Sequence, residues 1–166
     1  RSIYIDINPN VNFLISGPAF SVISIFSMCC VIAVQGARVI AISDKIDAIY
    51  KYDTNIMVAL PLAIETIIDN LPSDFKPKQN LIIEVFGAAL SQTLHDLIVS
   101  RLGKVGLQNL GANEVGRFMK MNDGYNGIIY PGVELEIRDE QHQPVQDGVA
   151  GLIAVRTSQM IDGYYK

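Results

Sequence analysis

Apolar positions along the chain fall into short blocks of two textures, separated by polar or glycine-containing turns. Val11 to Ser16, Ala37 to Ile42, Asn55 to Leu60, Leu81 to Phe86 and Val105 to Leu110 are brief runs rich in sheet-forming residues. Between them lie segments of helical length. Phe20 to Gln35 is apolar all round, a pattern that must be covered on most sides, and Gly36 ends it. Asp44 to Tyr52 is a shorter helix, and Leu62 to Leu71 places Ile64, Ile67, Ile68 and Leu71 towards a core. Gln92 to Leu102 carries Leu94, Leu97, Ile98 and Leu102 on one face, with Ser91 as hydroxyl N-cap and Gly103 as terminator. Leu71 to Lys78 is a polar connection punctuated by prolines.

Five strands joined by four helices predict an α/β fold, a mainly parallel sheet with helices on both faces. After Glu114 the texture changes. Asn122 to Gly127 is turn-rich, and Val133 to Arg138 and Gly151 to Arg156 read as an antiparallel pair flanking the polar loop Asp139 to Gly148. The expected organisation is therefore a parallel α/β subdomain over 1–120 and the start of a small antiparallel β subdomain over 121–166. This reading puts two glycine turns, Gly87-Ala88-Ala89-Leu90 and Gly111-Ala112-Asn113-Glu114, at the carboxyl edge of one parallel sheet, where open α/β sheets bind ligands.

Composition sharpens the picture. Apolar residues make up 49% and charged residues 18% of the 166, as a sheet covered on both faces requires. A net charge of −4 gives no reason to expect nucleic acid or an anionic membrane as partner. The apolar core Ala19 to Val34 is shorter than the ~20 residues a span needs, and Ser21, Ser24 and Ser27 dilute it, so a buried helix is expected and no membrane span. Cys29 and Cys30 are adjacent and have no other cysteine to pair with, which favours a reduced, cytoplasmic setting. The chain opens on Arg1 without an initiating Met or a signal-peptide n-region, so it is expected to begin inside a longer protein.

Several chemistries have no residues to stand on. No G-x-S-x-G elbow and no P-loop signature occurs. His95 and His142 lack a metal-ligand partner at i+4, and Cys29-Cys30 lacks C-x-x-C spacing, so no zinc site is expected.

Four segments in register carry a resemblance. Gly87-Ala88-Ala89-Leu90-Ser91, Leu107 to Glu114, Pro131 to Glu140, and Asp147-Gly148 through Gly163-Tyr164-Tyr165 resemble, in order and spacing, the central portion of the large N-terminal domain of adenylate-forming enzymes. This is the superfamily of acyl-CoA synthetases, adenylation domains and luciferases, whose corresponding motifs are G-A-P/A-L, Y-G-x-T-E, P-G-V-x-x-x-I-x-D and D-G-x-x-G-E-I-x-V-R…G-Y-Y. The resemblance covers nearly the whole chain, and it makes the antiparallel pair the start of the family's distorted β-barrel.

The resemblance implies an ATP-dependent, AMP-forming carboxylic acid ligase that makes an acyl-adenylate and passes the acyl group to a thiol, coenzyme A or an acyl carrier protein. ATP and Mg2+ are the implied cofactors. Glu114 is then the metal residue, helping to hold the magnesium ion at the ATP phosphates, a role suited to a hard carboxylate oxygen. Gly87, Ala88, Ala89, Leu110, Gly111, Ala112 and Asn113 become nucleotide-binding, and Phe20 and Ser21 line the acyl-substrate pocket. Leu110 stands where the family has an aromatic residue, Asn113 where it has threonine, Ser21 where it has histidine, and Leu152 where it has glutamate. An aliphatic side chain still covers a purine face, and an amide still donates to phosphate. Together, however, the four departures keep open a degenerate, non-catalytic adenylation-like binding module, and a generic doubly wound domain stands third. The family's Ser/Thr/Gly phosphate loop, its ribose-binding T-G-D and its lid lysine are absent, so no catalytic residue is assigned in this segment and the 166 residues alone are expected to be inactive.

Overall fold

The computed structural model describes residues 9–16, 33–40, 44–122 and 126–164. These fall into two compact units, Arg1–Gln108 and Asn109–Lys166.

The first unit is built on a five-stranded sheet in the order β2-β1-β3-β4-β5, with β1 at Asn12–Ser16, β2 at Arg38–Ile40, β3 at Ile56–Ala59, β4 at Ile82–Val85 and β5 at Lys104–Val105. Every neighbouring pair is parallel. The register sets Leu14 beside Met57 and Met57 beside Ile83, so these three side chains share one face, while Phe13, Ile56 and Ile82 share the other. Period-two alternation thus sends apolar residues to both faces, which is why the strands read as continuous rather than alternating runs.

The first face carries the larger core. Leu14, Met57, Ala59, Ile83 and Val85 pack with Ala48 and Ile49, with Ile64, Ile67 and Ile68, and with Leu94, Ile98 and Leu102. Those residues come from the helices Lys45–Lys51, Pro61–Asp69 and Gln92–Arg101. Asp44 caps the first by accepting from Asp47 N at 2.8 Å, Pro61 opens the second at a position that needs no N–H, and Ser91 caps the third by accepting from Leu94 N at 3.2 Å. On the opposite face Phe13, Ile15, Ile56 and Val58 are also buried. Of the all-apolar helix expected over Phe20 to Gln35, only Ala33, Val34 and Gln35 lie among the described residues; the first two are helical and Gln35 begins a turn. No helix among the described residues is long and apolar enough to cross a membrane.

Polar groups gather at the amino ends of the strands. Asn12 N donates to Asn55 Oδ1 at 2.8 Å, Asn12 Nδ2 to the Asp53 carbonyl at 3.1 Å, and the fully buried Thr54 hydroxyl to the Ala48 carbonyl at 2.9 Å. No buried side-chain nitrogen or oxygen among the described residues lacks a partner. This end of the sheet is stitched for stability, leaving the carboxyl end for chemistry.

The strand expected over Val105 to Leu110 divides in two. Only Lys104 and Val105 pair with β4. At Gly106 a Cβ would lie 2.6 Å from Ile82 Cγ2, so the chain passes the sheet too closely for a side chain and then leaves it. β6, Gln108–Ala112, belongs instead to a three-stranded sheet in the order β6-β7-β8, with β7 at Gly116–Met121 and β8 at Gly127–Ile129. β7 and β8 are antiparallel. β9, Glu134–Arg138, and β10, Leu152–Arg156, form the antiparallel pair that the sequence predicts, with Ile153 opposite Ile137 and Val155 opposite Leu135.

Candidate functional site

Strand order locates one half of the site. From β1 the chain moves outward to β2 and then returns to lay β3 on the other side of β1. The connections leaving β1 and β3 therefore diverge at their carboxyl ends, which opens the crevice that open α/β sheets use for ligands. β1 ends at Ser16 and β3 at Ala59. Lys45 reaches this end of β1 and donates its Nζ to the Ile15 carbonyl at 3.1 Å, and burial pushes its amine down. Phe20 and Ser21, expected to line the acyl pocket just after β1, lie outside the described residues.

The Gly87 turn follows β4, the neighbour of β3, at the same edge. Phe86 N donates to the Ala59 carbonyl at 3.2 Å, carrying the ladder to its last bond before the chain turns. Gly87 has φ +79°, a conformation that glycine adopts without penalty, and a Cβ there would come 2.5 Å from Leu60 Cδ2. Gly87, Ala88 and Ala89 are exposed while Leu90 is buried, so the turn is anchored by Leu90 and presents small residues and backbone to solvent. That suits the close approach of a flat ligand. Leu60 is a contributor that the sequence alone did not single out; its place directly after a buried strand and before Pro61 was the available signal.

The Gly111-Ala112-Asn113-Glu114 turn is built differently from the expectation. The strand before it, β6, pairs with β7 and is not a strand of the parallel sheet. The turn closes the β6–β7 connection, where a three-residue link is too short for a parallel crossover and makes a hairpin. Val115 N donates to the Ala112 carbonyl at 3.3 Å to shape it. At Gly111 a Cβ would lie 2.7 Å from the Gly116 carbonyl oxygen, so only glycine lets these two strands close. Leu110 is half-buried, and Gly111, Ala112 and Asn113 are exposed.

A second segment straps this turn. Beyond β10, Thr157 donates its hydroxyl to the Val115 carbonyl at 2.8 Å, and Ile161 N donates to the Glu114 carbonyl at 2.9 Å. A side chain on Gly116 would collide with the Gln159 amide. Tyr164 then donates its phenol to Glu114 Oε1. That hydrogen bond, followed by one from the backbone, holds the Glu114 carboxyl below the usual carboxylate range, and the Tyr164 phenol is raised by the same contact. Glu114 is therefore ionised at neutral pH. Tyr164 is the residue that sequence reasoning missed as a neighbour of the site, although it lies in one of the four matched segments, because nothing local ties it to a turn 50 residues earlier.

The donor set defines which cation would fit. No group of three or more His, Cys, Asp or Glu side chains capable of holding a metal occurs among the described residues. One ionised carboxylate at an exposed turn is a poor site for zinc or calcium by itself, yet it matches magnesium, which is bound by one or two carboxylates together with phosphate oxygens and water. Such a carboxylate could hold a magnesium ion arriving with a polyphosphate.

Three comparisons bear on this geometry. The family model described as AMP-binding enzyme matches residues 2–165. Among solved structures, the long-chain-fatty-acid-CoA ligase from Archaeoglobus fulgidus superposes with a TM-score of 0.77 at 17% identity, over 96% of this chain and 36% of that one. The O-succinylbenzoate coenzyme A synthetase from Bacillus subtilis, in complex with ATP and magnesium ion, gives 0.74 at 16%, over 96% and 35%. The amide bond synthetase from Marinactinospora thermotolerans gives 0.69 at 20%, over 94% and 34%. The chain spans about a third of the length of these proteins. No curated protein matches it.

Proposed function

The chain belongs to the AMP-binding enzyme family, and from that premise we propose that it serves an ATP-dependent, AMP-forming ligase, which joins a carboxylic acid to AMP and then transfers the acyl group to the thiol of coenzyme A or a carrier protein. The observation that carries the reading is the hairpin turn Gly111 to Glu114, small and exposed for three residues and then ending in a carboxylate held ionised. Gly87, Ala88 and Ala89 supply a second stretch of open backbone, and both stretches match the family's nucleotide turns in order and spacing. A cytoplasmic setting accords with adjacent cysteines that have no third cysteine in this sequence to pair with.

In adenylation a substrate carboxylate oxygen bonds to the α-phosphorus of ATP while the bond to the bridging oxygen breaks, and pyrophosphate leaves with the electron pair. Negative charge therefore moves onto the leaving phosphates. A magnesium ion, when bound, neutralises that charge. Glu114 would hold the cation, and its fixed negative charge would favour a metal–phosphate complex over free nucleotide. Gly111, Ala112 and Asn113 let the nucleotide approach the backbone, with the Asn113 amide able to donate to phosphate and Leu110 to cover a purine face.

Glu114→Gln tests the reading in the full-length protein. The substitution keeps shape and removes charge, so ATP–pyrophosphate exchange should fall by roughly one to four orders of magnitude, the range for losing one oriented electrostatic group. Glu140→Gln in the polar loop after β9 should be silent. Equal exchange by wild type and Glu114→Gln would refute the assignment. The specific observation favouring a second reading, a non-catalytic binding module, is that Leu110, Asn113, Ser21 and Leu152 all depart from the residues of the family it resembles. Wild type that turns over no acid in a broad panel, with ATP also failing to raise its melting temperature, would select that module.

A further inference from the structure

The strap over the Glu114 turn has no role in the reading above, and its contacts converge on that one turn. Four connections from 157–164 reach three consecutive residues: the Thr157 hydroxyl to Val115, Ile161 N to Glu114, the Gln159 side chain against Gly116, and the Tyr164 phenol to Glu114. The strap is itself braced, with Gln159 N donating to the Thr157 hydroxyl at 3.1 Å and Met160 N to the Thr157 carbonyl at 3.3 Å. Three of the four connections fix the backbone of the turn. Only Tyr164 reaches the carboxylate.

From this arrangement we infer that Tyr164 is the positioning residue for Glu114, its phenol holding one carboxylate oxygen so that the other is oriented for a metal–nucleotide complex. The inference rests on the reading of Glu114 as the magnesium-bearing carboxylate. A glutamate on an exposed turn has three rotatable bonds, and the entropy of ordering them falls on the ligand when nothing else holds the side chain. Tyrosine has two, and its ring end is carried on a segment already fixed at Thr157 and Ile161. A carboxylate offers about four lone-pair sites, so the phenol and the backbone donor together leave sites open for a cation. The ring has no packing role to confuse with this one, because Tyr164 is 76% exposed. Deleting its hydroxyl should therefore leave folding unchanged.

The probe is Mn2+ with ATP, standing in for magnesium, and the readout is the enhancement of water-proton relaxation as the full-length protein binds the complex. Wild type, Tyr164→Phe, Glu114→Gln and the double variant form a cycle. Tyr164→Phe should weaken binding about threefold to tenfold, the span for one hydrogen bond to a charged group that water partly replaces. Glu114→Gln should weaken it further, and the double variant should match Glu114→Gln, because the phenol acts only through the carboxylate. Wild-type binding by Tyr164→Phe, or losses that multiply in the double variant, would overturn the inference while leaving Glu114 in place. Wild-type binding by Glu114→Gln would instead remove the reading of Glu114 and the inference with it.

Discussion

Gly111→Ala asks whether the Glu114 turn depends on the closeness of its two strands. A Cβ at Gly111 would lie 2.7 Å from the Gly116 carbonyl oxygen and 3.1 Å from Arg117 Cα, well inside the 3.4 Å at which ordinary contact begins. Both neighbours are backbone, so no rotamer change relieves the overlap. The strands must part instead, at a cost of about 1–3 kcal/mol by analogy with overpacked interiors. The turn that carries Glu114 moves with them. Since a misplacement of about 1 Å costs about 100-fold in rate, a shift of a fraction of that should reduce adenylation by roughly tenfold. Gly132→Ala is the matched control. Gly132 has φ +81° but nothing within 4 Å of its would-be Cβ, so alanine there meets strain without collision. It should cost about 1–2 kcal/mol from the left-handed backbone alone and leave adenylation unchanged. Thermal melts and ATP–pyrophosphate exchange on the full-length variants separate the two. A Gly111→Ala protein with wild-type melting and exchange would refute the steric argument, and equal loss of exchange in both variants would refute the link between turn geometry and activity.

Two further expectations concern the first unit. Ile98→Ala, at a fully buried position in the core on the first sheet face, should destabilise by about 2–5 kcal/mol, whereas Leu97→Ala, 40% exposed one residue away, should stay within about 0.5 kcal/mol in urea unfolding; equal effects would put the helix in the wrong rotation. Asp53 is held below the usual carboxylate range by its hydrogen bond from Lys78, then by one from Asn80. A depressed folded pKa adds stability above the unfolded value of about 3.9 and loses it as pH falls through the folded value. Asp53→Asn tolerates the same positive φ of 45°, so its deficit should be at most about 0.5 kcal/mol at pH 5 to 7 and vanish as pH falls through the depressed folded value; a deficit that persists once Asp53 is protonated would assign it to something other than charge.

The parallel sheet was readable because its strands are buried on both faces. Leu14 and Phe13 point opposite ways and are both sheltered, so composition and length gave the strand without any alternation to follow. The three helices Lys45–Lys51, Pro61–Asp69 and Gln92–Arg101 were readable to within a residue or two at their ends, where Asp44, Ser91 and Pro61 mark starts by chemistry that does not depend on tertiary context. Rotation was harder. Leu94, Ile98 and Leu102 repeat every four residues and are buried, but Leu97 falls on the flank of that stripe and is exposed. Four apolar residues in one helix do not say how wide the buried arc is; the partner surface does.

The Glu114 turn shows where local reading stops. Val105 and Leu110 look like the two ends of one strand, and what divides them is a distance of 2.6 Å between a position without a side chain and Ile82 on the next strand. Beyond it β6 finds its hydrogen-bond partner in β7, whose sequence Gly-Arg-Phe-Met-Lys-Met buries Phe118 and leaves Arg117 exposed but carries too little alternation to announce a strand. The consequence reaches function. A carboxylate on the rim of the parallel sheet would take its position from the core, and core substitutions would move it. A carboxylate on a hairpin strapped by 157–164 takes its position from Thr157, Ile161 and Tyr164. Stability and metal–nucleotide affinity should therefore separate in this protein: Ile98→Ala lowers the melting temperature with Mn2+·ATP affinity intact in the folded fraction, and Tyr164→Phe does the reverse. Loss of affinity in step with loss of stability across both variants would return the carboxylate to the sheet that the sequence first suggested.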